Sequence, residues 1–279
     1  MIKKLIKDLA NIRRLMGIGP MLSYCGALLA NLPKIIGQRN LQAADKSFGG
    51  TGTLTFRVKN GASLTLPGEY FSGVREMYGR RVYFAELGFD VRPGDVTIDL
   101  GANVGLFSLY AARLGASKTV AVEAQTEFVR RIEDNFALNA CTDKLVAVNA
   151  LVGSHSGVFG KANAIQSDRI KEASMLTMEE LFDRHALIRC DFLKVDIEGS
   201  EFALFRENHA WLARVHKIAM EVHNQFGDEK ALLQVLAQYG FQAKLRNNSL
   251  QLVNSLGGSD GYLYAINPAL AREPDTSGK

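Results

Sequence analysis

The chain lacks the marks of a disulfide-built, membrane-spanning or strongly polyionic protein. Three cysteines stand in 279 residues. Cys25, Cys141 and Cys190 are far apart, odd in number and without a Cys-x-x-Cys pair, so neither a disulfide framework nor a thiolate zinc site is expected. A reducing compartment fits, and a cytoplasmic location is expected. No clean apolar run reaches the ~20 residues of a spanning helix. Residues 16–36 are largely apolar but are broken by Gly17, Gly19, Pro20, Gly26, Asn31 and Pro33. They also make a poor leader peptide, because the basic region before them is long and the apolar part starts late. The net charge is only +4, and its distribution is uneven. Residues 1–40 carry Lys3, Lys4, Lys7, Arg13, Arg14, Lys34 and Arg39 against Asp8 alone, a net of +6 that leaves −2 for the rest. The body is therefore not expected to bind nucleic acid.

What the chain does have is a hydrophobic fraction of 47%, ordinary for a large globular core, and a regular alternation of elements. Residues 1–40 are expected to form one or two helices on the body. Their basic and apolar surface could touch an anionic membrane peripherally, at its inner face. Leu54, Phe56 and Val58, then Asn60-Gly61, then Leu64 and Leu66 spell a β-hairpin. Residues 69–90 read as helical. From 95 onward, strands at 95–100, 118–123, 145–151, 191–196 and 217–222 alternate with helices near 104–114, 126–139, 178–185 and 201–213. Thr177 with Glu180 three positions on predicts a capping box. A helix at 229–239 ends at Gly240, and strands at 241–246 and 262–266 follow. This predicts an α/β, doubly wound parallel sheet with an antiparallel edge strand and an N-terminal helical and hairpin extension. The expected division is 1–68 for the extension, 69–272 for the ligand-binding domain and 273–279 for a disordered tail. The long polar loop 153–173, with the hairpin and the helical lead-in, is the expected acceptor pocket.

The most informative stretch is Val96-Thr-Ile-Asp-Leu-Gly-Ala-Asn-Val-Gly-Leu-Phe-Ser108. It reads as a buried strand, a glycine turn and an apolar helix, which brings backbone N–H groups and an acid to a strand end. Glu123 ends the next apolar run, 22 residues after Gly101, close to the roughly 20 expected for an acid on ribose hydroxyls. An adenosine-containing cofactor is predicted. Asp196 and Glu198 follow the fourth strand, and Glu201 opens the next helix, a favourable place for an acid. Glu221 and His223 end the fifth strand, and His223 is the expected general base. Asp196, Glu198, Glu221 and His223 could together ligate a divalent cation, but the spacing does not define such a site, and no metal is expected.

Asp99-Leu-Gly-Ala-Asn-Val-Gly105, Glu123 and Phe192-Leu-Lys-Val-Asp-Ile-Glu-Gly-Ser-Glu201 occur in the order of the FkbM family of S-adenosylmethionine-dependent methyltransferases, which the chain resembles over roughly 69–223. Met175-Leu-Thr-Met-Glu-Glu-Leu-Phe182 and Met220-Glu-Val-His223 are similar to further family segments. The resemblance implies a class I, Rossmann-like methyltransferase fold and transfer of a methyl group, usually to oxygen, with a sugar, glycan or hydroxylated secondary metabolite as the small-molecule acceptor. It implies cofactor contacts from Asp99, Gly101, Asn103, Gly105, Glu123 and Asp196, while Asp196, Glu198 and His223 face the acceptor. Asn103 stands where many class I enzymes have a middle glycine. Asn149-Ala-Leu151 carries no acid after the third strand, so backbone groups of Ala150 and Leu151 are the expected adenine contacts. Two other classes remain open. One is a non-catalytic, cofactor-binding scaffold held at a membrane by the basic N-terminus. The other is a nicotinamide-dependent oxidoreductase, which Gly101-Ala-Asn-Val-Gly105 serves badly because it is not Gly-x-Gly-x-x-Gly.

Overall fold

The computed structural model describes residues 2–153, 173–206 and 209–272. The expectations for loop 154–172 and tail 273–279 lie outside the described residues. Among the described residues up to 40 there are three helices rather than one or two, α1 (Ile2–Met16), α2 (Ile18–Ala30) and α3 (Leu32–Gln38), and α4 (Gln42–Gly49) follows. Gly17, with a φ of 97°, separates α1 from α2. Asn31 ends α2 and admits Leu32-Pro33 as the first turn of α3, where a proline costs no hydrogen bond. The hairpin follows as β1 (Thr53–Arg57) and β2 (Ser63–Pro67), paired from Thr53 with Pro67 to Arg57 with Ser63.

The helical lead-in is shorter than its pattern predicts. A 3-10 turn at Gly68–Tyr70, helix α5 (Phe71–Val74) and a π-helical turn at Arg75–Arg80 carry it. It stops at Arg81, whose φ is 60°. Apolar periodicity continued past that point because Val82, Tyr83, Phe84 and Phe89 are all buried, although in irregular chain.

Among the described residues the main sheet holds nine strands. They are β3 (Val96–Leu100), β4 (Lys118–Glu123), β5 (Leu145–Val152), β6 (Ser174–Leu176), β7 (Phe192–Val195), β8 (Lys217–Val222), β9 (Gln242–Asn247), β10 (Leu252–Val253) and β11 (Gly261–Ile266). Their spatial order is β10-β9-β11-β8-β7-β3-β4-β5-β6. The run from β8 to β6 is parallel, and β11 inserts antiparallel between β8 and β9. The doubly wound sheet is thus as expected. The short strands β6 and β10 were not expected, since two or three residues are too few to show a period.

Helices α6 (Leu106–Arg113), α7 (Thr126–Leu138), α8 (Met178–Arg184) and α10 (Glu229–Gln238) follow the predicted spans, and Thr177 and Glu180 form the predicted capping box. The helix expected over 201–213 is instead α9 (Glu201–Leu204) and a separate 3-10 turn, Ala210–Arg214. One core packs the N-terminal helices, the hairpin and α6 on one face of the sheet. A second packs α8, α10 and Trp211 on the other.

The chain winds outward from β3 through β4, β5 and β6, then returns to place β7 on the other side of β3. The crevice at the carboxyl ends of β3 and β7 is the switch point where doubly wound sheets bind ligands. The N-terminal helices are tied to this crevice by Arg75. Its guanidinium lies 2.9 Å from Asp8 on α1 and binds both carboxylate oxygens of Asp45 on α4, at 3.0 and 2.9 Å. Tyr24 on α2 donates to the same Asp45 at 2.7 Å. Both acids are almost wholly buried, so removal of the cation strands two charges. Arg75→Met is expected to destabilise the chain by about 3–5 kcal/mol, read as a lowered midpoint in urea unfolding. A change below about 1 kcal/mol would mean that the cluster does not hold the extension to the body.

Candidate active site

The site grows out of sheet register. On β3, Ile98 and Leu100 face one core, and Thr97 and Asp99 face the other. Asp99 pairs in register with Lys194 on β7 and with Ala121 on β4. Lys194 pairs with Ala219 on β8, which pairs with Tyr264 on β11. Two residues further along the same face, at the carboxyl ends, come Glu123, Gly101, Asp196 and Glu221, with Tyr262 opposite Glu221. One row of the sheet is therefore a buried foundation, and the next is the candidate site.

Lys194 is the centre of the foundation. Its ammonium lies 3.0 Å from Asp99 Oδ1 and donates to the carbonyls of Gly101 at 2.7 Å and Leu100 at 3.3 Å. Burial would lower its pKa, but Asp99 and Asp196 outweigh burial and raise it, so it is cationic. The other oxygen of Asp99 accepts from Ser108 Oγ at 2.8 Å. Asp99 thus orders the turn and the start of α6, and it does not line the cavity described below.

The glycine turn takes three left-handed residues, Gly101, Asn103 and Gly105, with φ of 71°, 53° and 78°. Asn tolerates this region better than most side chains, which accounts for Asn103 at the middle position. A Cβ on Gly101 would overlap the Asp196 carbonyl oxygen, so only glycine lets β3 and β7 approach this closely. The turn's N–H groups do not face the crevice as expected. Gly101 and Ala102 donate to Val122 O, and Asn103 donates to Glu123 Oε2 at 2.9 Å, because the turn folds over the end of β4.

Glu123 accepts from Asn103 through one oxygen and from Gln125 N–H at 2.9 Å through the other. Burial raises its pKa, partly offset by these two donors. Asn149 clamps the same corner, donating to the carbonyls of Glu123 and Ala124 and accepting from Thr126 Oγ1. Ala150 and Leu151 lie on β5 next to this corner. They pair with Ser174 and Met175 of β6 on one side, whereas the β4 ladder stops at Glu123 opposite Asn149.

Tyr83, absent from the sequence-derived set, joins the two acids across the crevice. Its hydroxyl lies 2.8 Å from Asp196 Oδ2 and 3.3 Å from Glu221 Oε2, and its single proton can serve only one at a time. Burial, then the charges of Asp196 and Glu221, holds the phenol well above its ordinary pKa. It is therefore a donor and not a base. Glu221 is pushed up to about 7, by burial first and by the Asp196 charge second.

His223 stands near this pair but is held by another acid. Glu201, wholly buried at the start of α9, accepts from His223 N–H at 2.7 Å and from Gly199 N–H at 2.8 Å, and lies 3.0 Å from His223 Nδ1. Burial would lower the imidazole pKa, but the hydrogen bond and charge of Glu201, with Glu221 and Asp196, raise it to about 9. A protonated ring has no lone pair to take a proton, so this contact weighs against the expected role of His223 as general base. Glu198, half exposed and with a φ of 55°, places Oε2 3.7 Å from His223 Nε2. Asp196, Glu198 and His223 offer three ligand atoms within 4.8 Å of one another. That grouping could hold a divalent cation once the ring loses its proton, with Glu201 orienting it through Nδ1.

A cavity of about 370 Å³ opens over this row, within the usual range for small-molecule sites. Its floor is Gly101–Val104 and Lys194 with Asp196, and its walls include Glu69, Glu76, Tyr83, Glu221 and Tyr262. Four carboxylates line it, and Lys194, already neutralised by Asp99, is the one lysine among its described lining. That donor set suits a ligand with positive charge, as a sulfonium with an α-ammonium has. Of the residues expected from sequence, Gly101, Asn103 and Asp196 line the cavity. Gly105, Glu123, Glu198 and His223 are not among its described lining. Tyr83, Glu69, Glu76 and Tyr262 were missed. No motif marks them, since they come from irregular chain, the π-helical turn and the antiparallel strand. Lys194 did leave a signal, because a lysine inside Phe-Leu-Lys-Val must find a buried partner.

The family described as methyltransferase FkbM domain matches residues 99–243. The AMB antimetabolite synthetase AmbE of Pseudomonas aeruginosa is 27% identical over 251 residues, covering 71% of this chain and 12% of that protein. A ribosomal protein L11 methyltransferase of Pelobacter propionicus is 28% identical over 137 residues, covering 44% of this chain and 43% of the enzyme. The chain thus spans less than half the length of either relative. Among solved structures, the precorrin-6y C5,15-methyltransferase of Geobacter metallireducens aligns with a TM-score of 0.41 at 13% identity, over 67% of this chain and 86% of that one.

The raised pKa of His223 has a testable sign. A group bound more tightly when protonated stabilises the fold below its ordinary value near 6.5 and loses that contribution as pH climbs through about 9. The melting-temperature gap between the native chain and His223→Gln is expected to be largest near pH 6 and to shrink toward pH 10. A gap that is flat with pH would mean that Glu201 does not hold a charged ring.

Proposed function

Because the chain belongs to the FkbM family of methyltransferases and uses S-adenosylmethionine, we propose that it methylates oxygen, on a hydroxyl of a sugar, a glycan or a hydroxylated secondary metabolite. The observation that carries this reading is the Asp196–Tyr83–Glu221 cluster at the cavity wall. Bound S-adenosylmethionine supplies an electrophilic methyl group for in-line displacement. The acid-lined cavity attracts the cationic end of that cofactor, with Asp196 nearest the sheet. Gly101, Asn103 and Gly105 shape the turn against it, and Asp99 holds that turn through Lys194. Glu123 keeps a second lone pair on each oxygen for ribose hydroxyls, and backbone groups of Ala150 and Leu151 meet adenine.

For a hydroxyl acceptor, a base must remove or share the proton as the new C–O bond forms. Glu221 suits that duty. It lines the cavity, its pKa lies near 7, and Tyr83 gives its hydrogen-bond proton to Asp196 at the shorter distance. Asp196 and Glu198 orient the acceptor, and the His223 imidazolium balances their charge.

Activity should rise with pH through about 7, as Glu221 ionises. Glu221→Gln should cut kcat by about 10²–10⁴-fold and remove that limb of the profile, with little change in S-adenosylhomocysteine affinity. An unaltered pH profile in the variant would eliminate Glu221 as the base. Glu123→Ala should weaken S-adenosylhomocysteine binding by about tenfold or more, roughly the 1.4 kcal/mol of one charged hydrogen bond. Equal affinity by calorimetry would remove the ribose role. The acceptor class is tested by mass-shift methylation of glycan and metabolite extracts. A methyl group found on nitrogen instead of oxygen would overturn the O-methyl reading.

A further inference from the structure

The N-terminal helices carry a surface that the site does not use. Ten large apolar side chains stand exposed among the described residues, and six of them, Ile6, Ile18, Leu22, Leu29, Leu32 and Ile36, fall in α1–α3. Ile18, Leu22 and Leu29 recur at i, i+4 and i+11, which places them in one stripe along α2. Leu29 is 73% exposed. Helix α2 has no charged residue at all. A helix apolar on its outer as well as its inner face is not built for water.

The charge on this surface is of one sign. The only acids in residues 1–50 are Asp8 and Asp45, and both are buried against Arg75. Lys7, Arg13, Lys34 and Arg39 are exposed, and among the described residues no carboxylate pairs with them. Helices α1–α3, basic and apolar with no exposed acid of their own, complement a surface that offers both negative charge and hydrocarbon. Double-stranded nucleic acid offers the first without the second. No helix of the described chain is long and apolar enough to cross a membrane, so contact would be at the interface.

A cleft of about 570 Å³ opens on the same face, lined by Leu5, Leu28, Leu29, Leu32 and Ile35 and by Glu76, which pairs with Arg80. Glu76 also lines the strand-end cavity. The apolar face and the candidate site therefore share one wall.

We infer that α1–α3 dock this protein on the surface of an anionic lipid bilayer, with the Ile18–Leu22–Leu29 stripe entering the acyl boundary and Lys7, Arg13, Lys34 and Arg39 meeting the headgroups. The inference does not rest on the O-methyl reading. Its test uses neither methyl donor nor acceptor, so either can fail alone.

The full chain is sedimented with vesicles of phosphatidylcholine, and with mixed phosphatidylglycerol–phosphatidylcholine vesicles. Binding is expected to the anionic vesicles and to weaken sharply toward 1 M salt, where the Debye length falls to about 3 Å. Lys34→Gln with Arg39→Gln should weaken it by roughly 25-fold, about fivefold for each charge. Leu22→Asp with Leu29→Asp should abolish it. These positions are exposed, so the melting temperature and S-adenosylhomocysteine binding should stay unchanged, which separates lost docking from lost folding. No binding to anionic vesicles at low salt overturns the inference, as does binding that survives the Leu22 and Leu29 substitutions. If those substitutions instead convert a dimer to a monomer while vesicle binding is absent, the face is a subunit interface and the membrane reading fails.

Discussion

The site depends on one in-register ion pair, Asp99 with Lys194. A lysine at the middle of an interior strand cannot be solvated by water, and a buried charge without a partner is prohibitive. Here the ammonium has a carboxylate, two carbonyls and the face of the Tyr83 ring 5.4 Å away. Each partner is thereby fixed. Asp99 sets the strand that precedes the glycine turn, and the carbonyls of Leu100 and Gly101 set the turn itself. Tyr83 is held where its hydroxyl reaches Asp196 and Glu221. The pair is thus less a stabiliser than a locator. An apolar pair of equal volume could support the sheet as well, but it would not orient carbonyls or an aromatic ring.

The cavity has two halves of different origin. The half built by β3, β7 and β8 belongs to the doubly wound sheet and is organised by register. The half built by Glu69, Glu76 and Tyr83 comes from the segment that Arg75 fastens to α1 and α4. Within the π-helical turn, Arg75 reaches Asp8 and Asp45, while its neighbour Glu76 lines the cavity and pairs with Arg80. The N-terminal helices therefore brace the wall of the site, although none of their described residues borders it.

Much of this was legible in the sequence, and the reasons differ by element. Interior parallel strands such as Phe192–Val195 and Thr119–Val122 are buried on both faces, so they read as short apolar runs. Capping at Thr177 and the stop at Gly240 are local chemistry and were read correctly. The Asp99–Gly105 turn and the strand-end position of Asp196 were legible because glycines and acids at strand ends leave a pattern. Tyr83 and Tyr262 were invisible because their importance comes from partners far along the chain. The setting of His223 was hidden for the same reason. Its ordinary pKa suggests a base, the buried Glu201 beside it raises that pKa, and no spacing rule announces the contact.

The distances along the chain have a consequence for how the protein is made. Tyr83 meets Asp196 and Glu221 across 113 and 138 residues, and the last wall of the cavity, Tyr262, lies on β11 near the carboxyl end. Contacts of such long range form only after large loops have closed, which slows their appearance. A chain that has completed only β3 and β4 carries Glu123, but it lacks both the Lys194 that sets the glycine turn and an enclosed cavity. The cavity wall is complete only once the final antiparallel strand has added Tyr262.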